Sequence, residues 1–184
     1  MPIALLISWG GSADGDPSSD AAALGGAAIH LYPWNADGPL EDGRYPVAVT
    51  IKENTSMVSA VISSIGDFAR AISSLMEGPV DPCDLRAIVG YGWAGSTIGS
   101  AVKAWLGIPL ISSLGDSAPA GQDLHSLSIR ALEMRSAHAS DLVLARTHGA
   151  LARARYSYAL PADRVQLASS PKEFAAALSR YLGP

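Results

Sequence analysis

Short apolar runs alternate along this chain with longer stretches in which apolar residues recur every third or fourth position. The runs at Ile3–Ser8, Ala27–Tyr32, Val47–Ile51, Leu85–Val89, Pro109–Ser113, Asp141–Ala145 and Arg164–Ala168 read as strands. The clearest helix is Met57–Met76. Val58, Val61, Ile62, Ile65, Phe68, Ala69, Ile72 and Leu75 form its stripe, with Asp67 and Arg70 opposite. Asn54, Thr55 or Ser56 can cap its start, and Gly78-Pro79 stops it. Leu124–Ala139 reads as a second amphipathic helix, with Leu127, Ala131 and Met134 on one face and Arg130, Glu133 and Arg135 among its polar residues. Asp20–Leu24 allows only a turn or two of helix, and Thr147 can cap a short one running to Arg155. Ser170-Pro171-Lys172-Glu173 is a capping box that opens a last helix, Phe174–Leu182, ended by Gly183. Pro33–Tyr45, rich in Pro, Gly and Asp, reads as a loop.

The stretch Leu85–Asp116 is the most fully specified. A strand leads into Gly90, Gly92 and Gly95, which read as a turn. Ser96 is placed to cap a helix carrying Ile98, Ala101, Val102, Trp105 and Leu106, and Gly107 closes that helix before the next strand. This is one right-handed βαβ crossover. Repeated along the chain, it predicts one Rossmann-like, doubly wound α/β domain spanning residues 1–184. Its sheet is mainly parallel, of about six or seven strands, with helices on both faces.

Composition narrows the partners. The chain has 184 residues and a net charge of −4, with 48% apolar and 16% charged positions. A chain of this length buries roughly 70% of its unfolded surface and needs no covalent staples. Without a basic footprint, nucleic acid is a poor partner. The single cysteine, Cys83, fits a reducing compartment. There is no basic leader and no apolar run long enough for a membrane span, so a cytoplasmic protein is expected.

In a doubly wound sheet ligands bind beyond the carboxyl ends of the strands. Trp9–Gly11, Tyr32–Trp34, Gly90–Gly95, Gly115–Ser117 and Arg146-Thr147 fall there. Trp9, Trp34 and Trp93 are placed either to stack on a sugar or flat ring or to pack against a helix. Gly90-Tyr91-Gly92-Trp93-Ala94-Gly95 matches G-x-G-x-x-G, and Asp116 follows after the next strand, about 20 residues on, where that motif places a ribose-binding acid. Against this NAD(P) reading, the motif follows the fourth strand and carries bulky Tyr91 and Trp93. A tight turn needing glycine accounts for it as well. Asp14-Gly15-Asp16 could hold a divalent cation, but a solvated turn is the better reading. His30, His125, His138 and His148 lack metal-ligand spacing, and no metal or cofactor is expected. No nucleophile elbow is present.

From Pro82 to Phe174 the order of features resembles the amino-terminal domain of family 4 glycosyltransferases, the glycogen-synthase-like enzymes of GT-B fold. The family's strand ending in His-Ala-His-x-Trp corresponds to Val89-Gly90-Tyr91-Gly92-Trp93, and its Leu-Gly-Ile-Pro to Leu106-Gly107-Ile108-Pro109. A helix with a Glu corresponds to Glu133, an Ala-Asp strand start to Ser140-Asp141, and Asp-Arg-Val to Asp163-Arg164-Val165. The Gly-rich loop after strand one corresponds to Gly10-Gly11. The family's two strand-four histidines are Val89 and Tyr91 here, and the one after strand five is Gly115. No donor-binding second domain is expected within residues 1–184.

The resemblance implies the acceptor-side half of an enzyme that moves a sugar from a nucleotide-sugar donor. It would need a donor-binding domain or subunit, as the isolated chain would not be competent alone. It implies a sugar or other small-molecule acceptor and allows a homo-oligomer. The substrate-binding residues it points to are Gly10 and Gly11 near a phosphate, Trp93 for stacking, Asp116 for a sugar hydroxyl and Arg146 for an anionic group. It assigns no catalytic residue. A degenerate, non-catalytic binding module and an NAD(P)-binding protein are the alternatives.

Overall fold

The computed structural model describes residues 2–9, 14–25, 27–34, 44–51, 53–116, 119 and 121–183. Its strands are β1 (Ile3–Ile7), β2 (Ala28–Trp34), β3 (Arg44–Ala48), β4 (Leu85–Tyr91), β5 (Leu110–Leu114), β6 (Leu142–Ala145) and β7 (Val165–Leu167). Its helices are α1 (Pro17–Ala23), α2 (Met57–Glu77), α3 (Gly92–Leu106), α4 (Leu124–Ala139), α5 (His148–Ala152) and α6 (Pro171–Leu182). The strands lie in the order β3-β2-β1-β4-β5-β6-β7, and every neighbouring pair is parallel. This is the Rossmann-like, doubly wound α/β sheet expected from the sequence. Strand order reverses between β1 and β4, which is where such sheets open a crevice.

Three helices, α2, α3 and α4, layer one face. Phe68, Ile72, Ile98 and Val102 pack there against Leu5, Ile7, Ile88 and Leu110. On the other face α6, with α1 beside it, sets Phe174 and Leu178 against Ala4, Leu6 and Val89. Each fully buried side chain of the Phe68 or Ile72 kind contributes roughly 1.5–3 kcal/mol. A third cluster joins α5 to Ala137 of α4 over β6 and β7.

Several boundaries differ from the sequence reading. Helix α1 begins at Pro17, not Asp20, because Asp16 caps it and Pro17 suits its first position. The expected loop at Pro33–Tyr45 is strand at both ends, in β2 and β3, while residues 35–43 lie outside the described residues. Strand β3 stops at Ala48 rather than reaching Ile51, and it holds Pro46, which the outermost strand tolerates. Strand β4 runs on through Gly90 and Tyr91, and the expected glycine turn is the first turn of α3. Ser96 is therefore no cap; it is fully buried and donates to the Gly90 carbonyl at 3.0 Å. The Ser56, Thr147 and Ser170 caps form as the sequence suggests, the last as a full capping box.

Helix α4 is turned over relative to expectation. Its buried side carries Ser126, Ile129, Glu133, Ser136 and Ala137. Leu127 is 48% exposed and Met134 41%. Among the described residues no helix is long and apolar enough to cross a membrane.

Candidate functional site

In the connection from β1 to α1, Asp14 is anchored at the carboxyl ends of β4 and β5. Its Oδ1 accepts from the Gly115 N–H at 2.8 Å, and its carbonyl accepts from the Ser113 hydroxyl at 2.7 Å. Its Oδ2 stands so close over Gly92 that a Cβ there would lie 2.3 Å away. Gly92 also holds φ at 61°, which L side chains resist. At Gly95 a Cβ would meet the Ile7 carbonyl oxygen at 2.3 Å. The glycine spacing that imitates a dinucleotide motif is thus accounted for by α3 lying hard against β1 and β4. A carboxylate of the chain itself stands at the amino end of α3, where a pyrophosphate would otherwise be favoured.

Beneath this connection lies a buried ion pair. Arg146, just past β6, donates through Nη2 to Asp20 Oδ1 at 3.1 Å, and the Tyr91 hydroxyl donates to Asp20 Oδ2 at 2.9 Å. Arg146 also lies 5.4 Å over the Phe174 ring, and its guanidinium is packed under Gly15. Burial pushes the Asp20 carboxyl up, and Arg146 pulls it back. Burial raises the Tyr91 hydroxyl well above its usual range, and the Asp20 charge adds to it.

A second buried pair sits under the end of β5. Glu133 is fully buried. Its Oε1 accepts from Arg153 Nε at 3.0 Å and from the Tyr158 hydroxyl at 2.8 Å, while its Oε2 is buried without a hydrogen bond. Burial raises this carboxyl against the opposing pull of Arg153. Arg153 opens a turn of π-helix, Arg153–Ser157, and its Nη2 donates to the Gly115 carbonyl. Gly115, just past β5, is therefore gripped from both sides, by Asp14 at its N–H and by Arg153 at its C=O. Beside it, exposed Asp116 accepts from the Thr147 hydroxyl at 2.9 Å.

Of the residues singled out in the sequence, Asp116 reaches the rim of the crevice. Gly10 and Gly11 lie outside the described residues. Trp93 is 6% exposed and packed in the core of the α2–α3 face, so its ring is not offered for stacking. The cause is the early start of α3, which carries Trp93 round beneath the helix. Arg146 is committed to Asp20 rather than presented to an anion. Glu133 is no solvated helix residue. Asp14, Asp20, Arg153 and Tyr158 were not singled out as site residues; Asp14 read as part of a solvated turn. Among the described residues no group of three or more His, Cys, Asp and Glu could hold a metal ion. Away from this edge, an apolar groove of about 440 Å³ runs between α2, α3 and α4.

Solved structures share the fold. Sucrose-phosphate synthase from Thermosynechococcus elongatus superposes with a TM-score of 0.63 at 11% identity, over 99% of this chain and 97% of that one. UDP-GlcNAc 2-epimerase from Methanocaldococcus jannaschii gives 0.54 at 13% identity, over 91% of this chain and 45% of that one. A UDP-glucosyltransferase from Polygonum tinctorium gives 0.57 at 10%, over 91% and 52%. These neighbours are GT-B glycosyltransferase-like folds. At such identities the likeness is one of fold. The chain spans about half the length of the epimerase and of the glucosyltransferase. No family model and no curated protein matches it.

Proposed function

We propose that this chain is the acceptor-side half of a family 4-like GT-B glycosyltransferase. In this reading it is a single domain that pairs with a donor-binding domain or subunit in the cytoplasm to transfer a sugar from a nucleotide sugar. The observation that carries the reading is the fold match over nearly the whole chain but only about half of a nucleotide-sugar epimerase and a glucosyltransferase. The order of Leu106-Gly107-Ile108-Pro109, Glu133, Asp141 and Asp163-Arg164-Val165 favours the amino-terminal side. Transfer needs charge stabilisation from both walls of a cleft, and one wall cannot assemble it alone.

Incubation with a panel of UDP- and GDP-sugars, with and without a donor-binding domain, tests this by product mass. The expected outcome is no transfer by the chain alone. Clear turnover by the chain alone would sink the half-enzyme reading. A degenerate binding module is the second reading, favoured by Val89, Tyr91 and Gly115 standing where the family has histidines. It would give no transfer even with the donor domain present. The Asp14 carboxylate at the start of α3 weighs against NAD(P). Thermal shift separates that case, since a ligand at 100 times its dissociation constant stabilises by about 2.7 kcal/mol.

A further inference from the structure

Resting on the acceptor-side reading, we propose that the crevice takes an uncharged, polyhydroxylated acceptor and discriminates against its phosphorylated counterpart. Proteins recognise a phosphate or carboxylate mainly with guanidinium groups and with the amino ends of helices. Among the described residues, Arg146, Arg153 and the amino end of α3 are each already engaged from within the chain.

Arg146 is paired with Asp20, seated on Phe174 and left with 8% of its side chain exposed. Its Nη1 is buried as well, and so is not open to an entering ligand. Arg153 is 20% exposed, but its charge is balanced by Glu133 and its Nη2 is held by the Gly115 carbonyl. The amino end of α3, which opens at the reversal of strand order, carries the Asp14 carboxylate.

What the rim does present is an acceptor of hydroxyl protons. Asp116 is exposed and already accepts from the Thr147 hydroxyl, which shows the geometry a sugar hydroxyl would use. Its other neighbour is Gly149, where even a Cβ would stand 3.1 Å from Oδ1, so no side chain screens the carboxylate on that side. A phosphate brought here meets like charge, and neither Arg146 nor Arg153, the guanidinium groups described around it, is uncommitted. Such a juxtaposition is how sites reject a partner.

The test uses amide spectra of the ¹⁵N-labelled 184-residue chain. It is titrated with glucose, mannose, N-acetylglucosamine and inositol, each beside its monophosphate. One or more of the uncharged compounds should move the Gly115 and Gly149 amides, and its phosphate should bind at least about tenfold more weakly. Asp116→Asn, at an exposed position, should melt like the wild type, weaken the uncharged ligand and narrow the gap to its phosphate. A phosphate that binds these amides as well as its parent sugar would overturn the inference and leave the acceptor-side reading standing. If no sugar of either kind moves them, the inference falls. If NAD or a nucleotide sugar moves them instead, the acceptor-side reading falls with it.

Discussion

A methyl group at Gly95 would sit 2.3 Å from the Ile7 carbonyl oxygen, a backbone atom that cannot swing aside. Gly95→Ala must therefore lift α3 off β1, and a loss of about 1–3 kcal/mol in urea unfolding is expected. Glu133 makes a prediction of a different kind. Burial raises its carboxyl above the ordinary value of 4.5 despite the opposing Arg153. A carboxyl raised in the folded state holds its proton more tightly there than in the unfolded chain. Its share of stability is full below the unfolded value and is lost as pH rises through the raised one. Asp20 acts with the same sign. Glu133→Gln stays neutral throughout, so the stability of wild type relative to this variant should fall as pH rises above the ordinary carboxyl value of 4.5. Urea unfolding as a function of pH checks it, and a rising difference would reverse the assignment. At this scale the glycine pattern was legible and its cause was not. Spacing alone does not tell a phosphate cradle from a helix pressed on a strand. Nor does it show that the acid filling that place is Asp14, many residues away.

Among the elements, α2 shows what periodicity reads well and α4 what it misses. The α2 stripe from Val61 through Phe68 and Ile72 to Leu75 is buried, and Ile62 at its edge is 49% exposed. In α4 Leu127 and Met134 face outward, because much of the inward side beside Ile129 is given to Glu133 and the serines around it. Ser136 donates to the Glu133 carbonyl, and Ser140 at the helix end bonds both Ser112 and the Ser136 carbonyl. A buried ion pair overrode the hydrophobic pattern, and no local signal announces such a pair when its partner, Arg153, lies on another element. Mutations should sort accordingly. Ile129→Ala, at a 5% exposed position, should cost about 2–5 kcal/mol. Leu127→Ser, at a 48% exposed position, should stay within about 0.5 kcal/mol of wild type, despite removing an apolar group from the expected face. Thermal unfolding of the two variants side by side decides which face holds the helix.

For the molecule as a whole, the alternation of strand and helix was enough to specify a parallel doubly wound sheet, since each βαβ unit admits one handedness. The position of the crevice followed from strand order. The ligand's chemistry did not follow, because it depends on which charges neutralise one another across the sheet. The two outermost strands carry a separate consequence. Pro46 gives β3 a position with no N–H to offer a further strand, and β7 presents only three residues. A long bare strand edge would template stacking of one copy on the next. This sheet is blunted on both flanks, so sideways polymerisation is discouraged. The ends of its strands are left as the natural place for another body to meet it.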